Sequence, residues 1–587
     1  MYARGSVSYG HRFAAVCFLS AAVVCCSGED GPDSTPGSTG GGWQATVDAG
    51  DAQAPAAGDS GPGDATPQDS AVSCSPTATG DIVFSEPSGT FMGSVSVALS
   101  TGVPAAEIRY TTDGSPPTPS SIVYDGAPVS IDGTTQLRAQ AYVGGNAQGI
   151  PGTALYIERA IDAVHDLPVI VLDAYGSGRP STTDRSYVDV AFLGFGLVDG
   201  STSLAARPAI SSLAAYHVRG QSSVMFDKLS YRIELRDEAG LDRDCELLGM
   251  PAEADWALVG PHADKTLVHN AFVYGLGGDM GLAVPRLVLA ELYLNVDDQP
   301  LASDDYQGVY QVVEIIKNQK NRLDLVQLDP TITTEPDITG GYIFKYEWLA
   351  AEPPILQCPG SSVTCWSDLE LVDPDPPAAE QTEYLVNHLG AFNDAIHSAT
   401  PADPAVGYPA YIDVASFVDH VIVNEFTRNM DAYARSQYFY KDRGGKIFAG
   451  PLWDFDLIAG VGMGVSPFGP SFPNLETSGW QYESNASRIN IWFEILVAEP
   501  NFRAQLVQRW RELRQGLLSD ASISARIDQV TAGLANAAER NFQRWNILAQ
   551  ATVTPFATPT EPTWTGQVEY MRSWLIQRAA WLDTQWI

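Results

Sequence analysis

The chain has 587 residues, 45% of them hydrophobic and 10% aromatic, with 34 Lys and Arg against 70 Asp and Glu for a formal net charge of -36. Such a length exceeds one compact core, so two or more folded units joined by linkers are expected. The charge argues against nucleic acid or an anionic membrane surface as a general partner and leaves a basic macromolecule or a metal ion compatible.

The chain begins with Arg4, His11 and Arg12 ahead of an apolar run, Phe13 to Val24, followed by Cys25 and Cys26 and then Ser, Gly and acidic residues. This reads as a targeting signal, its apolar run too short to span a bilayer comfortably. Small or aliphatic residues just before a cysteine resemble a bacterial lipoprotein signal over residues 1–26, with Cys25 or Cys26 lipidated. An ordinary secretory signal with incidental cysteines is the alternative. Either way the protein is expected to leave the cytoplasm, and the first reading makes it a membrane-anchored lipoprotein of the cell envelope or surface. Residues 27–73, rich in Gly, Ser, Pro, Ala, Thr and Asp, cannot bury enough apolar surface to order themselves and read as a disordered tether.

Of seven cysteines, four remain beyond the signal. Cys358 and Cys365 close a short loop and are read as a local disulfide in an oxidising compartment. A pairing of Cys74 with Cys245 rests only on the count. No Cys/His cluster has the spacing of zinc ligands.

Residues 74–158 carry short alternating strands separated by Gly, Pro and Asp turns: Val95 to Leu99, Ile108 to Tyr110, Val129 to Ile131 and Leu137 to Ala141. This predicts a small antiparallel β-sandwich. The segments Pro87 to Phe91, Glu107 to Pro116 and Thr134 to Ala139 resemble the chitobiase/β-hexosaminidase C-terminal module, an immunoglobulin-like fold. Arg109, Tyr110 and Asp113 are either glycan contacts or a core tyrosine beside an Asp113-Gly114 turn.

From 165 to 587 the pattern is α+β. Strands are predicted at Val169–Leu172, Ala215–Arg219, Leu229–Leu235, Trp256–Val259, Leu287–Leu294, Gly308–Ile315 and Tyr342–Trp348, with one helix over 265–276 capped by Asp264. The later part reads as helices over 383–397, 412–426, 489–496, 502–517, 523–545 and 565–586. A strand-rich part succeeded by a helical part predicts two lobes with a ligand cleft between them. Its recurring tryptophans, from Trp480 to Trp586, are read as core packing.

Within that unit, Asn429-Met430-Asp431 and Trp453-Asp454-Phe455-Asp456 flank two short runs, Gln437 to Tyr440 and Lys446 to Ala449, joined at Gly444-Gly445 as a hairpin. The hairpin sets both aspartates at one end, a layout that suits metal-assisted phosphoryl transfer. Arg219 to Ser223, Leu247 to Pro251, Asp255-Trp256, Asp264 to Thr266 with Asn270, Tyr306 to Tyr310, Asn424-Glu425 and the two aspartate motifs together resemble a CotH-like domain of the spore coat protein kinase family. That resemblance implies an atypical, two-lobed protein kinase preceded by the β-sandwich.

It also implies roles. Asp431 takes the catalytic position, orienting the acceptor hydroxyl, and Asp454 binds Mg²⁺ (or Mn²⁺), with Ser436 as a further oxygen ligand and Asp456 either a further group of the metal site or a turn cap. Conventional kinases carry Asn where Ser436 stands. For ATP, Arg219 and Ser222 lie in a loop that either folds over the phosphates or is an ordinary hairpin. Lys228 either supplies positive charge or faces solvent, and Glu314 either orients that lysine or is a surface carboxylate. The implied partner is a surface or secreted protein, with glycan as a further partner of the sandwich and no nucleic acid. The alternative is a non-catalytic, pseudokinase-like surface-binding lipoprotein.

Overall fold

In the computed structural model the described residues are 74–75, 80–359, 365–463, 475–484 and 490–587. The lipidation candidates Cys25 and Cys26, and the tether, lie outside them. The chain is a mixed α/β protein with a β-sandwich-like region at its N-terminal side. In that region a five-stranded sheet runs Gly89–Phe91, Asn146–Glu158, Thr135–Val143, Glu107–Thr111, Ile122–Val123, beside two two-stranded sheets. Alternation places Ile82, Val97, Leu137, Ala139 and Ala154 in a shared core. Asp113 Oδ1 accepts from the Ser115 amide (3.0 Å) and hydroxyl (2.6 Å) beside Gly114 at φ 76, the turn arrangement.

The next strands close into a barrel: β1 (Val169–Asp173), β2 (Val188–Phe195), β3 (Ile210–Arg219), β4 (Ser230–Arg236), β5 (Asp255–Val259), β6 (Leu287–Asn295) and β7 (Tyr306–Glu314). Neighbours run β1-β2-β3-β4-β5-β7-β6, and β6 returns to pair with β1 in parallel, leaving no edge. In β4, Tyr231, Ile233 and Leu235 enter the barrel core with Phe192, Trp256 and Val312. The intervening Ser230, Arg232 and Glu234 are buried too, because the outer face is covered. Arg232 there meets Asp255 through Nε (3.0 Å) and Nη2 (2.6 Å).

Helix α1 (His269–Met280) lies between β5 and β6. It starts later than the sequence suggests. Asp264 caps the turn ahead of it, Oδ1 accepting from Thr266 N (2.8 Å) and Leu267 N (3.1 Å) and Oδ2 from His269 N (2.8 Å). A second sheet has the order β9-β8-β10-β11, from β8 (Tyr342–Tyr346), β9 (Leu369–Asp373), β10 (Gln437–Lys441) and β11 (Ile447–Ala449). Helices α2 (Ala379–Ile396), α3 (Val414–Thr427), α4 (Ile491–Ala498), α5 (Pro500–Arg514), α6 (Asp520–Thr531), α7 (Ala535–Arg544) and α8 (Trp564–Gln585) supply most of the C-terminal part. The continuous helix expected over 523–545 is broken at Gly533, whose φ of 76 ends a helical run. Trp492 and Trp510 are fully buried in the main core, as packing requires.

Two disulfides are present among the described residues. Cys358–Cys365 closes the short loop expected. Cys74–Cys245 also forms, Cα atoms 5.7 Å apart, stapling the segment before the sandwich to the β4–β5 connection of the barrel. The sandwich is thus a closed excursion from the barrel. It is fastened to it again where Arg138 Nη2 donates to Glu238 O at 2.9 Å.

Candidate active site

Asp431 is delivered by α3. Asp413 accepts from Ser416 N at 2.8 Å to start this helix, and Arg428, left-handed at φ 52, ends it. Phe417, Val421, Ile422 and Phe426 bury its apolar face. Glu425, fully buried, organises the loops packed against the end of α3. Tyr433 Oη (3.1 Å), the amides of Gln481 (2.8 Å) and Tyr482 (3.1 Å) and Arg578 Nη2 (3.2 Å) all donate to its carboxylate. Asn429 Oδ1 accepts the Asp431 amide at 3.1 Å, and Asp431 O receives the amides of Ala434 and Arg435, each at 3.0 Å.

The second aspartate loop is bound to the first and to α1. Met430 N donates to Leu457 O (3.1 Å) and Ala459 N to Thr427 O (3.0 Å). From α1, Tyr274 Oη accepts the Asp454 amide (3.2 Å), Asn270 Oδ1 accepts the Phe455 amide (2.7 Å) and His269 Nδ1 meets Asp456 O (2.8 Å). Asn270 Nδ2 continues to Gln311 Oε1 on β7 at 2.9 Å, which ties this loop to the barrel. Ser436 Oγ lies 3.3 Å from Asp454 Oδ2. Tyr433, Ser436 and Asp454 have φ of 62, 51 and 64. Side chains in that region cost on the order of 1–3 kcal/mol each and persist where surrounding bonds fix them, as here.

These residues and the barrel face each other across a small cleft, partly open to solvent. It brings together Asp431, Ser436, Asp454, Asp456, Arg219 and Ser222. Arg219 ends β3, its guanidinium 5.3 Å from the Trp453 ring centroid. Ser222 begins a short 3-10 turn over Ser223–Met225, after Gly220 at φ 95. Arg185, Arg435 and Glu347 also line the cleft, and sequence reasoning misses all three. Arg435, four residues after Asp431, is within reach of the motif; it stacks on Trp348 at 5.5 Å and donates Nε to Trp348 O at 3.1 Å. Arg185, in a Ser/Thr-rich loop, carries no pattern signal.

Two expected residues lie elsewhere. Lys228 is fully buried, neither facing solvent nor lining the cleft. Its Nζ donates to Val309 O (2.6 Å) and to Asn541 Oδ1 on α7 (2.8 Å), and burial pushes its pKa down to about 7. Glu314 is neither on the surface nor beside Lys228. Its Oε1 accepts from Arg286 (2.6 Å) and Arg322 (2.7 Å), its Oε2 from the Arg286 amide (2.8 Å). The resemblance selects Lys228 beside the loop from Arg219 to Ser223, and Glu314 as a charge in an apolar strand, but the sequence does not fix what covers either side chain.

Among the described residues, no three His, Cys, Asp or Glu side chains form a group able to hold a metal ion by themselves. Burial, and then the charges of Asp454, Asp431 and Asp264, push the Asp456 carboxyl well above the usual carboxylate range. Such crowding of negative charge is what a cation relieves. Mg²⁺ is commonly held by one or two carboxylates completed by substrate phosphates. Asp454 and Asp456 with the Ser436 hydroxyl fit that incomplete set.

Residues 216–582, well over half of the chain, match the CotH kinase protein family. Residues 86–152 match the Chitobiase/beta-hexosaminidase C-terminal domain. Both matches are those the motifs implied, in the same order, and the longer begins inside β3, so β1 and β2 precede it. No curated protein matches the chain. A solved structure, "Chimeric titin Z1Z2 functionalized with a KLER exogenous peptide from decorin", is similar at 14% identity over 27% of this chain and 91% of its own, with a TM-score of 0.11, a level that carries no argument.

Proposed function

We infer from membership of the CotH kinase protein family, to which this chain belongs, that it is an extracytoplasmic atypical protein kinase with a two-lobed fold, transferring the ATP γ-phosphate to Ser or Thr of a surface or secreted protein. The observation that carries this reading is the meeting of Asp431 and Asp454 with Arg219 in one cleft. Asp431 orients the acceptor hydroxyl and receives its proton. Arg219, Ser222 and the backbone amides after Gly220 hold phosphate oxygens, and Arg185 and Arg435 add positive charge around the transferring group. Asp454, Asp456 and Ser436 would hold Mg²⁺ or Mn²⁺, which supplies charge neutralisation at the phosphates.

The full chain incubated with γ-labelled ATP and Mg²⁺ or Mn²⁺ is expected to label itself or a basic test protein, and Asp431→Asn and Asp454→Asn to abolish the label. Saturating nucleotide with metal is expected to stabilise the protein by about 2.7 kcal/mol at a hundredfold excess over Kd. Absence of any such shift sinks the proposal. A second reading, a non-catalytic surface-binding lipoprotein, draws on Ser436, a weaker ligand than the kinase Asn, and on the burial of Lys228. Nucleotide-induced stabilisation without any phosphoryl transfer selects it. Export, lipid anchoring through Cys25 or Cys26 and glycan contact by the sandwich complete the proposal. The mass of the mature N-terminal residue and retention on a glycan column test them.

A further inference from the structure

Asp431, Asp454, Asp456 and Glu347 all line the cleft, and Arg435 lies among these carboxylates. Elsewhere in the chain an arginine in such company is neutralised: Arg232, Arg322, Arg509, Arg540 and Arg578 each meet an Asp or Glu oxygen at 3.2 Å or closer. Arg435 does not. Among the described residues its guanidinium has no carboxylate partner. Its contacts are the Trp348 ring, 5.5 Å from Cζ to the centroid, and Trp348 O, which accepts from Nε at 3.1 Å.

That bonding fixes the plane of the guanidinium and leaves its two Nη groups for the cleft. The support is the Asp431 turn itself. Asp431 O accepts the Arg435 amide at 3.0 Å, and the Trp348 amide donates to Ala434 O at 2.9 Å, so the stacking ring is bonded to the same turn. One residue further, Ser436 Oγ lies 3.3 Å from Asp454 Oδ2. A single short segment thus delivers a carboxylate, a guanidinium and a hydroxyl to one wall of the cleft, facing the barrel rim that carries Ser222.

We propose that Arg435 is a catalytic residue of phosphoryl transfer, gripping the transferring group in the transition state rather than ATP in the ground state; this rests on the kinase reading above. As the acceptor oxygen bonds to the γ-phosphorus, the bond from that phosphorus to the β,γ-bridging oxygen breaks. The hydroxyl proton passes to Asp431 and ADP leaves. In that step the phosphoryl group moves towards the acceptor, and so towards the wall that carries Asp431 and Arg435. A guanidinium already locked there meets its oxygens by charge-assisted hydrogen bonds without reorganising. An interaction made only in the transition state raises kcat and leaves KM nearly alone.

The test compares the full chain with Arg435→Ala and Arg435→Lys in transfer from γ-labelled ATP with Mg²⁺. In parallel, ADP binding is measured with and without aluminium fluoride, which mimics the transferring group. Arg435→Ala is expected to lower kcat by about 10²–10³ with KM for ATP within about threefold. ADP affinity should stay within about twofold, while the extra affinity conferred by aluminium fluoride falls by the same factor as kcat. Arg435→Lys keeps the charge without the fork, so its kcat should stay about tenfold or more below wild type, and it decides the matter where the alanine variant melts early. A kcat within about threefold of wild type, or a loss carried by KM and ADP affinity, reduces Arg435 to a prop for Trp348 and overturns the proposal, leaving the kinase reading standing. No transfer by the wild type overturns both.

Discussion

On one side of the cleft, Asp431 and Asp454 sit on two loops laced to each other through Met430–Leu457 and Ala459–Thr427 and gripped from α1 by His269, Asn270 and Tyr274. On the other side, Arg219, Ser222 and Arg185 project from a strand end and connecting loops of the barrel, where Ser222 and Arg185 are half-exposed. A hydrogen-bonded frame can hold strained backbone at Tyr433, Ser436 and Asp454, and so fixes carboxylates where charge must be neutralised. Loops at a barrel rim suit groups that close on a ligand after it arrives. On that division and the proposed kinase reading, damage to the first side is expected to remove chemistry or the fold itself, and damage to the second mainly to weaken binding.

The largest effect is therefore expected at Asp431. Asp431→Asn keeps the size of the side chain but cannot take a proton, so turnover should fall by about 10²–10⁴ with thermal stability unchanged. Single-turnover labelling with a melting curve on the same sample measures both. Near-normal turnover would break the comparison at its strongest point. Next comes the support beneath it. Glu425 and Arg578 are both 0% exposed as side chains, 3.2 Å apart. Arg578→Met strands a buried carboxylate and should destabilise the protein by about 3–5 kcal/mol in chemical denaturation. A loss below about 1 kcal/mol would mean the loop has its support elsewhere.

On the barrel side, Arg219→Ala should raise KM for ATP by about tenfold to a hundredfold with a smaller change in kcat, the pattern of lost ground-state binding. A fall in kcat of the size expected for Asp431 would mean that Arg219 acts in the transition state and that the rim is as preorganised as the loops.

What the sequence makes legible divides along the same line. Spacing and hairpin turns place Asp431, Asp454 and β10–β11 correctly, because local sequence decides them: Gly444, at φ 63, supplies the turn. The barrel's closure is not legible, since it depends on β6 pairing in parallel with β1 across more than a hundred residues. The strand Val188–Phe195 escapes notice because most of it is buried on both faces and does not alternate. Lys228 and Glu314 are misplaced for a related reason. A charged residue in or just before a strand looks alike whether solvent or another element lies over it, and the α7 that covers Lys228 is some three hundred residues away from it.

Lys228 also gives the smallest and most discriminating test. In a conventional kinase the strand lysine touches phosphate, and its loss cripples the enzyme. Here Nζ is spent on Val309 O and Asn541 Oδ1. Lys228→Met, a substitution of similar volume, should leave KM for ATP within about twofold. Its signature is in stability instead. Burial lowers the folded pKa to about 7 from the ordinary lysine value of 10.5, so between those values the unfolded chain binds the extra proton and stability rises with pH. Lys265 and Lys441, each pushed down to about 8 by burial, add slopes of the same sign. Only the difference between wild type and variant therefore isolates residue 228. Across pH 7 to 9 the wild type should gain on the variant by about 1 kcal/mol per pH unit. Parallel stability curves combined with a large rise in KM would return Lys228 to the cleft and erase the contrast between its two sides.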